Sequence, residues 1–380
     1  MFKKVYLKEY IFTYDNVCNI LSNLCNEYSK EISRVCIGKT NFNYDINCFK
    51  IGCGKKNVLL IGATHSNEIV TTYFILDFMI SLLKDYDKLF IYSDILSSYT
   101  FHFIPILNVD GYIITTSNII TNFKTFTKEE IEKLSGKYLN VYNNDDKIAS
   151  TGVKKQKEFY NILKADVENI KDLNIRKSVE CILKNTKLDE SVLNIWSANG
   201  LGVDQNSNSI HRFCEIKKLR ARQKFANLRY NDIPVTMESP MSFPGCFTFD
   251  RSPENYYLYK YITYLYNICN ERLIAIFSYH STGGMLFSLP EKCCIDMCQM
   301  EKYIYIFNLY SKVTDYEIME DNEKYGIMDY YRCALKNTFT FTVELSKLNA
   351  NPIGPFANIN ALEKEVVDNK NAVISVIDAI

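Results

Sequence analysis

The sequence predicts an α/β fold, and two observations predict it. Short apolar runs recur at Asn57–Ala63 (NVLLIGA), Thr100–Leu107 (TFHFIPIL), Leu273–Tyr279 (LIAIFSY) and Thr338–Val343 (TFTFTV). Runs of this length, rich in branched or aromatic residues, suit buried strands of a sheet. Helical patterns alternate with them toward both ends of the chain, which argues for one α/β domain over residues 1–380.

Taken in order, the stretch from Tyr10 to Lys30 places Val17, Ile20, Leu21, Leu24 and Cys25 at helical spacing and predicts an amphipathic helix. A strand-like segment follows near Asn47–Gly52, closed by a Gly-Cys-Gly-Lys-Lys turn. NVLLIGA is the next strand, Ile69–Leu83 a helix, and TFHFIPIL a strand ended by Asn108-Val109-Asp110-Gly111, a turn by its residue types. Residues 112–194 are polar and charged. They read as a helical insertion, with helices expected at Lys154–Leu163 and Asp166–Leu183. Ser252-Pro253-Glu254 has the residues of a helix start: Ser as N-cap, Pro at the first position, an acid in the first turn.

Composition excludes several classes. Hydrophobic residues make up 47% and charged residues 23%, which rules out wholesale disorder. Lys plus Arg total 44 and Asp plus Glu total 44, so there is no basic excess to bind nucleic acid. The basic run Lys217–Lys224 reads as a solvated helix face. No apolar stretch is long enough for a membrane span, since Asp77 interrupts the best of them, Ile69–Leu83. The N-terminus lacks the apolar core of a secretory signal. The 13 cysteines are scattered, and the expectation is free thiols in a cytoplasmic protein.

Only four histidines occur, at 65, 102, 211 and 280. His65 follows the strand NVLLIGA, Glu68 comes three residues later at a helix start, and His280 follows LIAIFSY. Ligands gather at the carboxyl ends of strands in open α/β sheets. Two histidines and a glutamate with an open fourth position form the ligand set of a catalytic zinc ion. His102, inside a strand pattern, is expected to be a packed core histidine, and His211 a surface loop residue. Glu344 alternates with Phe341, Val343 and Leu345, and so shares a strand face with Thr340 and Thr342.

Six blocks in chain order resemble the zinc carboxypeptidase family, peptidase family M14. GATHSNE at Gly62–Glu68 resembles its His-x-x-Glu motif, and PILNVDGY at Pro105–Tyr112 its Pro-x-x-Asn-Pro-Asp-Gly turn. GVDQNSN at Gly202–Asn208 is similar to Gly-Val-Asp-Leu-Asn-Arg-Asn. PGCFTFDRSPE at Pro244–Glu254 is similar to Gly-x-x-Pro-x-Ser-Glu-Pro-Glu. SYHSTGG at Ser278–Gly284 resembles the block of the third ligand, and FTVEL at Phe341–Leu345 the strand of the catalytic glutamate. NPIGP at Asn351–Pro355 and the Trp196-Ser197-Ala198-Asn199 segment resemble the bacterial γ-D-glutamyl-diaminopimelate endopeptidase branch.

The resemblance implies a mixed, twisted sheet of about eight strands with helices on both faces. It implies one Zn²⁺ held by His65, Glu68 and His280, with Glu344 as general base. Asp204 would orient His65, Asn206 would contact substrate, and Tyr316 or Tyr325 would cap it. The expected substrate is a peptide or a cell-wall muropeptide. A deacylase of the same fold and a catalytically impaired binding protein are the alternatives. Two departures bear on this. Ser207 stands where exopeptidases place the arginine that grips a substrate's C-terminal carboxylate. Ser197 stands where relatives have a basic residue beside the oxyanion, a place Arg212 or Arg251 could fill.

Overall fold

The computed structural model describes residues 13–85, 90–119, 170–186, 196–208, 251–268, 272–287, 297–319, 326–346 and 359–380. The elements run α1 (Tyr14–Glu27), β1 (Ile32–Lys39), β2 (Asp45–Ile51), β3 (Lys56–Ile61), α2 (Ile69–Asp85), α3 (Phe90–Ser98), β4 (Tyr99–Ile104) and α4 (Val109–Ile119). They continue with α5 (Leu173–Thr186), α6 (Pro253–Asn267), β5 (Arg272–Ser281), β6 (Met285–Phe287), α7 (Met297–Thr314), β7 (Glu317–Met319), α8 (Ile327–Ala334), β8 (Phe339–Leu345) and α9 (Ile359–Ala379). The predicted helices Lys154–Leu163 and the first part of Asp166–Leu183 lie outside the described residues, as does the Lys217–Lys224 run.

The eight strands form one sheet in the order β1-β2-β4-β3-β5-β8-β6-β7. Its centre is parallel: β3 pairs with β4 and β5, and β5 with β8. The outer pairings β1–β2, β2–β4 and β6–β8 are antiparallel. The central strands carry apolar residues toward both faces, which is why they read as continuous runs. One face sends Val58, Leu60, Phe101, Phe277 and Phe341 into a large core with α1, α2, α7 and α9. The other sends Leu59, Ile61 and Ile276 against Leu258 and Ile262 of α6 and Met328 and Tyr331 of α8.

α1 forms where the spacing predicts it. Thr13 caps it, its hydroxyl accepting from the Asn16 amide at 2.9 Å, and Val17, Ile20, Leu21 and Leu24 are its buried face. Asn108-Val109-Asp110-Gly111 is not a turn. The Asn108 carbonyl oxygen Oδ1 accepts from the Gly111 amide at 3.1 Å and α4 starts there.

His102 occupies the core as expected. Its Nε2–H donates to Asn57 Oδ1 at 2.7 Å, and the Tyr261 hydroxyl donates to Nδ1 at 2.8 Å. Burial, helped by nearby Lys50, pushes its pKa down to about 3. Among the described cysteines Cys18, Cys25, Cys36, Cys48, Cys53, Cys181 and Cys298 are free. Cys333 is disulfide-bonded, which corrects the expectation of free thiols throughout. No described helix is long and apolar enough to cross a membrane.

Candidate metal centre

The loop leaving β3 is pinned before it reaches α2. The Gly62 amide bonds the Ile104 carbonyl at 2.9 Å. The Ala63 amide bonds the Thr71 hydroxyl at 2.8 Å, and that hydroxyl donates to the Glu68 carbonyl at 2.7 Å. Ser66 is tied to the 196–198 segment by its amide to the Ser197 carbonyl at 3.2 Å and by its hydroxyl to the Trp196 carbonyl. These bonds fix the two side chains the loop carries, His65 and Glu68.

His280 approaches from the neighbouring strand. It lies within β5, near its carboxyl end, and is 1% exposed. His65, Glu68 and His280 converge, their ligating atoms all within 4.8 Å of one another. His65 Nδ1 lies 2.9 Å from Glu68 Oε1 and 3.3 Å from His280 Nδ1, and His280 Nδ1 lies 3.1 Å from Glu68 Oε2.

Asp204, which only accepts, fixes the His65 tautomer, and the Ser278 hydroxyl can accept from His280 Nε2. His65 Nε2 faces Asp204 Oδ1 at 3.2 Å, and His280 Nε2 faces the Ser278 hydroxyl at 3.3 Å. With the protons on Nε2, both Nδ1 lone pairs and the Glu68 carboxylate point at one centre. Three acceptors with no donor among them repel unless a positive charge sits between them. The electrostatics of the cluster likewise favour positive charge at that centre. Burial alone would lower the His65 pKa, but the Glu68 and Asp204 carboxylates outweigh it and hold it well above the usual value. Burial would raise Glu68, yet the two imidazoles keep it below its ordinary value. The donor set, two imidazole nitrogens and one carboxylate with outer-shell support, fits Zn²⁺.

Asp204 is held firmly. It accepts from the Asn206 amide at 2.9 Å, the Ser207 amide at 3.2 Å and the Ser207 hydroxyl at 2.8 Å. Ser207 is 3% exposed and turned toward Asp204. Asn206 Oδ1 accepts from the Ile327 amide at 3.0 Å and so joins this loop to the start of α8.

Glu344 stands directly opposite His280 in the β5–β8 ladder. Register partners on adjacent strands share a face, with side chains about 5 Å apart. Phe341, Val343 and Leu345 point into the other core, so Glu344 is on the His280 side.

Tyr316 sits elsewhere. It is 2% exposed, packed in the larger core, and its hydroxyl is engaged by Glu365 and by Asn369 Nδ2, the latter at 3.1 Å. The structure gives it a place in the α9 packing, not one facing substrate. Tyr325, His211 and Arg212 lie outside the described residues. Ser197 is 6% exposed, and its carbonyl accepts from Asn108 Nδ2 at 3.3 Å.

Sequence reasoning missed one cluster. Glu254, read as a first-turn acid, is fully buried and accepts from Gln205 Nε2 at 3.1 Å and Asn199 Nδ2 at 3.4 Å. Burial, with the nearby Asp110 charge adding, raises its pKa to about 8. Burial also raises Asp110, to about 7. The signal available was the polar Gln205 at a position where the resembled segment has leucine.

The sequence profile of the zinc carboxypeptidase family matches residues 17–164. Bovine thrombin-activatable fibrinolysis inhibitor, solved in complex with tick carboxypeptidase inhibitor, superposes with a TM-score of 0.59 at 15% identity, covering 99% of this chain and 100% of that one. The fold is that of the zinc carboxypeptidases. Carboxypeptidase A from Helicoverpa armigera gives a TM-score of 0.57 at 14% identity, over 97% of this chain and 73% of that chain. A metallo-carboxypeptidase from Burkholderia cenocepacia gives 0.54 at 12% identity, over 97% and 69%. No curated protein sequence matches the chain. Within this carboxypeptidase fold, the His65, Glu68 and His280 cluster lies at the carboxyl ends of the central parallel strands, where open α/β sheets bind ligands.

Proposed function

We propose that the chain is a zinc-dependent metallopeptidase that hydrolyses an amide bond, with one ion held by His65, Glu68 and His280. The observation that carries this reading is the inward convergence of both Nδ1 atoms on Glu68, with Glu344 in register beside His280. Zinc, when bound, lowers the pKa of its water and polarises the scissile carbonyl. The chain's own residues supply the rest. Asp204 holds His65 in the Nε2–H tautomer, and Ser278 faces the corresponding nitrogen of His280. Glu344 takes the proton from the attacking water and passes it to the leaving amine.

The substrate we infer is a peptide or γ-glutamyl amide bond of cell-wall muropeptides. Its support is the Trp196–Asn199 segment and the NPIGP run at Asn351–Pro355, the latter outside the described residues. Ser207 adds to it: with its hydroxyl committed to Asp204, this position offers no cation to grip a free C-terminal carboxylate. Asn206 is the proposed substrate contact on the same loop.

A second reading, a zinc-binding relative with reduced catalysis, is favoured by Ser197 and Ser207 in place of basic residues. For localisation, the free thiols favour a reducing compartment and the Cys333 disulfide weighs against one.

The test pairs metal content with turnover. Purified protein is titrated with zinc, then offered tri- and tetrapeptide muropeptides and acylated amino acids with mass detection. Glu344→Gln should keep zinc and lose about 10²–10⁴ in rate. Unchanged hydrolysis in that variant refutes the base, and tight zinc with no amide cleaved supports the impaired reading.

A further inference from the structure

Asp204 reaches His65 from an irregular loop, so something must hold that loop. We propose that Gln205 is a positioning residue for the metal site, locking the Asp204 loop onto the first turn of α6 through Ser252, Glu254 and Asn255. The inference rests on the zinc reading above.

Gln205 is fully buried, and three of its polar groups end on that one turn. Its Oε1 accepts from the Ser252 hydroxyl at 2.6 Å, its Nε2 donates to Glu254 Oε2 at 3.1 Å, and its carbonyl accepts from Asn255 Nδ2 at 2.8 Å. Asn255 Nδ2 also reaches the Asn208 carbonyl at 2.8 Å, so both sides of Asn206 and Ser207 are fastened. Ser252 stands at the N-cap position of α6 but makes no side-chain cap bond. Its hydroxyl serves Gln205 instead of the helix.

Glu254 matches this arrangement as a neutral acid. One of its oxygens accepts from two amides, Gln205 Nε2 and Asn199 Nδ2, as a carbonyl oxygen can. Its Oε1 and Asp110 Oδ1 are buried oxygens without a hydrogen-bond partner, which a charged pair could not sustain. The residue next to Gln205 is Asp204, aimed at His65 Nε2 from 3.2 Å. A loosened Gln205 therefore costs the imidazole its partner.

The experiment measures zinc affinity by competition with a chelating dye, and the visible absorption of the cobalt-substituted protein. Both are read on wild type, Gln205→Ala, Ser252→Ala and Glu254→Gln. Gln205→Ala should weaken zinc about tenfold, at the lower end of what loss of an outer-shell partner does, and alter the cobalt bands. Ser252→Ala should weaken it about threefold, since one of the three contacts is lost. Glu254→Gln, a neutral isostere, should stay within about twofold of wild type. Folded Gln205→Ala with wild-type affinity and wild-type bands overturns the proposal. If Gln205→Ala does not fold, unchanged affinity and bands in Ser252→Ala overturn it. A wild-type protein that binds no zinc instead overturns the metal reading itself.

Discussion

Replacing His102 with phenylalanine should remove a specific part of the pH dependence of stability. The imidazole is 1% exposed, and both its nitrogens are used in the neutral form, one donating to Asn57 and one accepting from Tyr261. Charging it would break the bond from Tyr261 and bury a cation. Its pKa therefore falls from 6.5 in the unfolded chain to about 3 in the fold. Between those values the unfolded state binds the extra proton. The stabilisation is complete above pH 6.5 and is lost as pH falls toward 3. Moving from pH 8 to pH 5 should then cost the wild type about 2 kcal/mol. His102→Phe leaves Asn57 short of a donor and should be destabilised by about 1–3 kcal/mol at pH 8. Its gap to wild type should shrink by about 2 kcal/mol at pH 5. Urea unfolding of the metal-free proteins at both pH values measures this. Glu254 and Asp110, whose raised values give the opposite slope, are common to both proteins and cancel. A gap that stays constant from pH 8 to pH 5 would refute the reasoning.

Further expectations concern the site and the frame around it. Asp204→Asn should weaken zinc about 10–100-fold in calorimetric titration, because Asp204 fixes the His65 tautomer. Lys370→Ala should lower stability by about 3–5 kcal/mol in denaturant titration. Lys370 Nζ lies 2.5 Å from Asp77, both are buried, and the variant leaves Asp77 uncompensated. Gly54→Ala should depress the melting temperature or abolish folding, since an added Cβ would sit 1.9 Å from the Ser98 carbonyl carbon. A normal melting curve for that variant would show that the β3–α3 approach can yield.

The central strands were legible because burial on both faces leaves an unmixed apolar run, as in β3 and β5. α1 was legible because its single buried stripe repeats every three or four residues. The α4 start looks like a turn in sequence for a definite reason. An Asn side chain accepting from an amide a few residues on looks alike in a turn and at a helix N-cap, and Asn108 does the latter. β6 and β7 have three residues each, too few for any period to show. At the site, the convergence of His65, Glu68 and His280 could be anticipated from their places after strands, but the partners of Ser207, Gln205 and Glu254 could not. Their meaning comes from partners about 50 residues away or from an inward rotamer. Between Tyr316 and Tyr325 the sequence offers no choice, because spacing carries no information on which side of β7 a preceding aromatic packs.

His65 and His280, whose Nδ1 atoms lie 3.3 Å apart, are separated by 215 residues in the sequence. Its neighbour Glu344 enters on β8, which pairs with β5 in the middle of the sheet. On the ribosome, the nascent polypeptide thus carries His65 and Glu68 long before His280 exists. The cluster can close only after β5 and β8 have been synthesised and threaded into place. A cluster assembled this way stays incomplete until the centre of the sheet has closed.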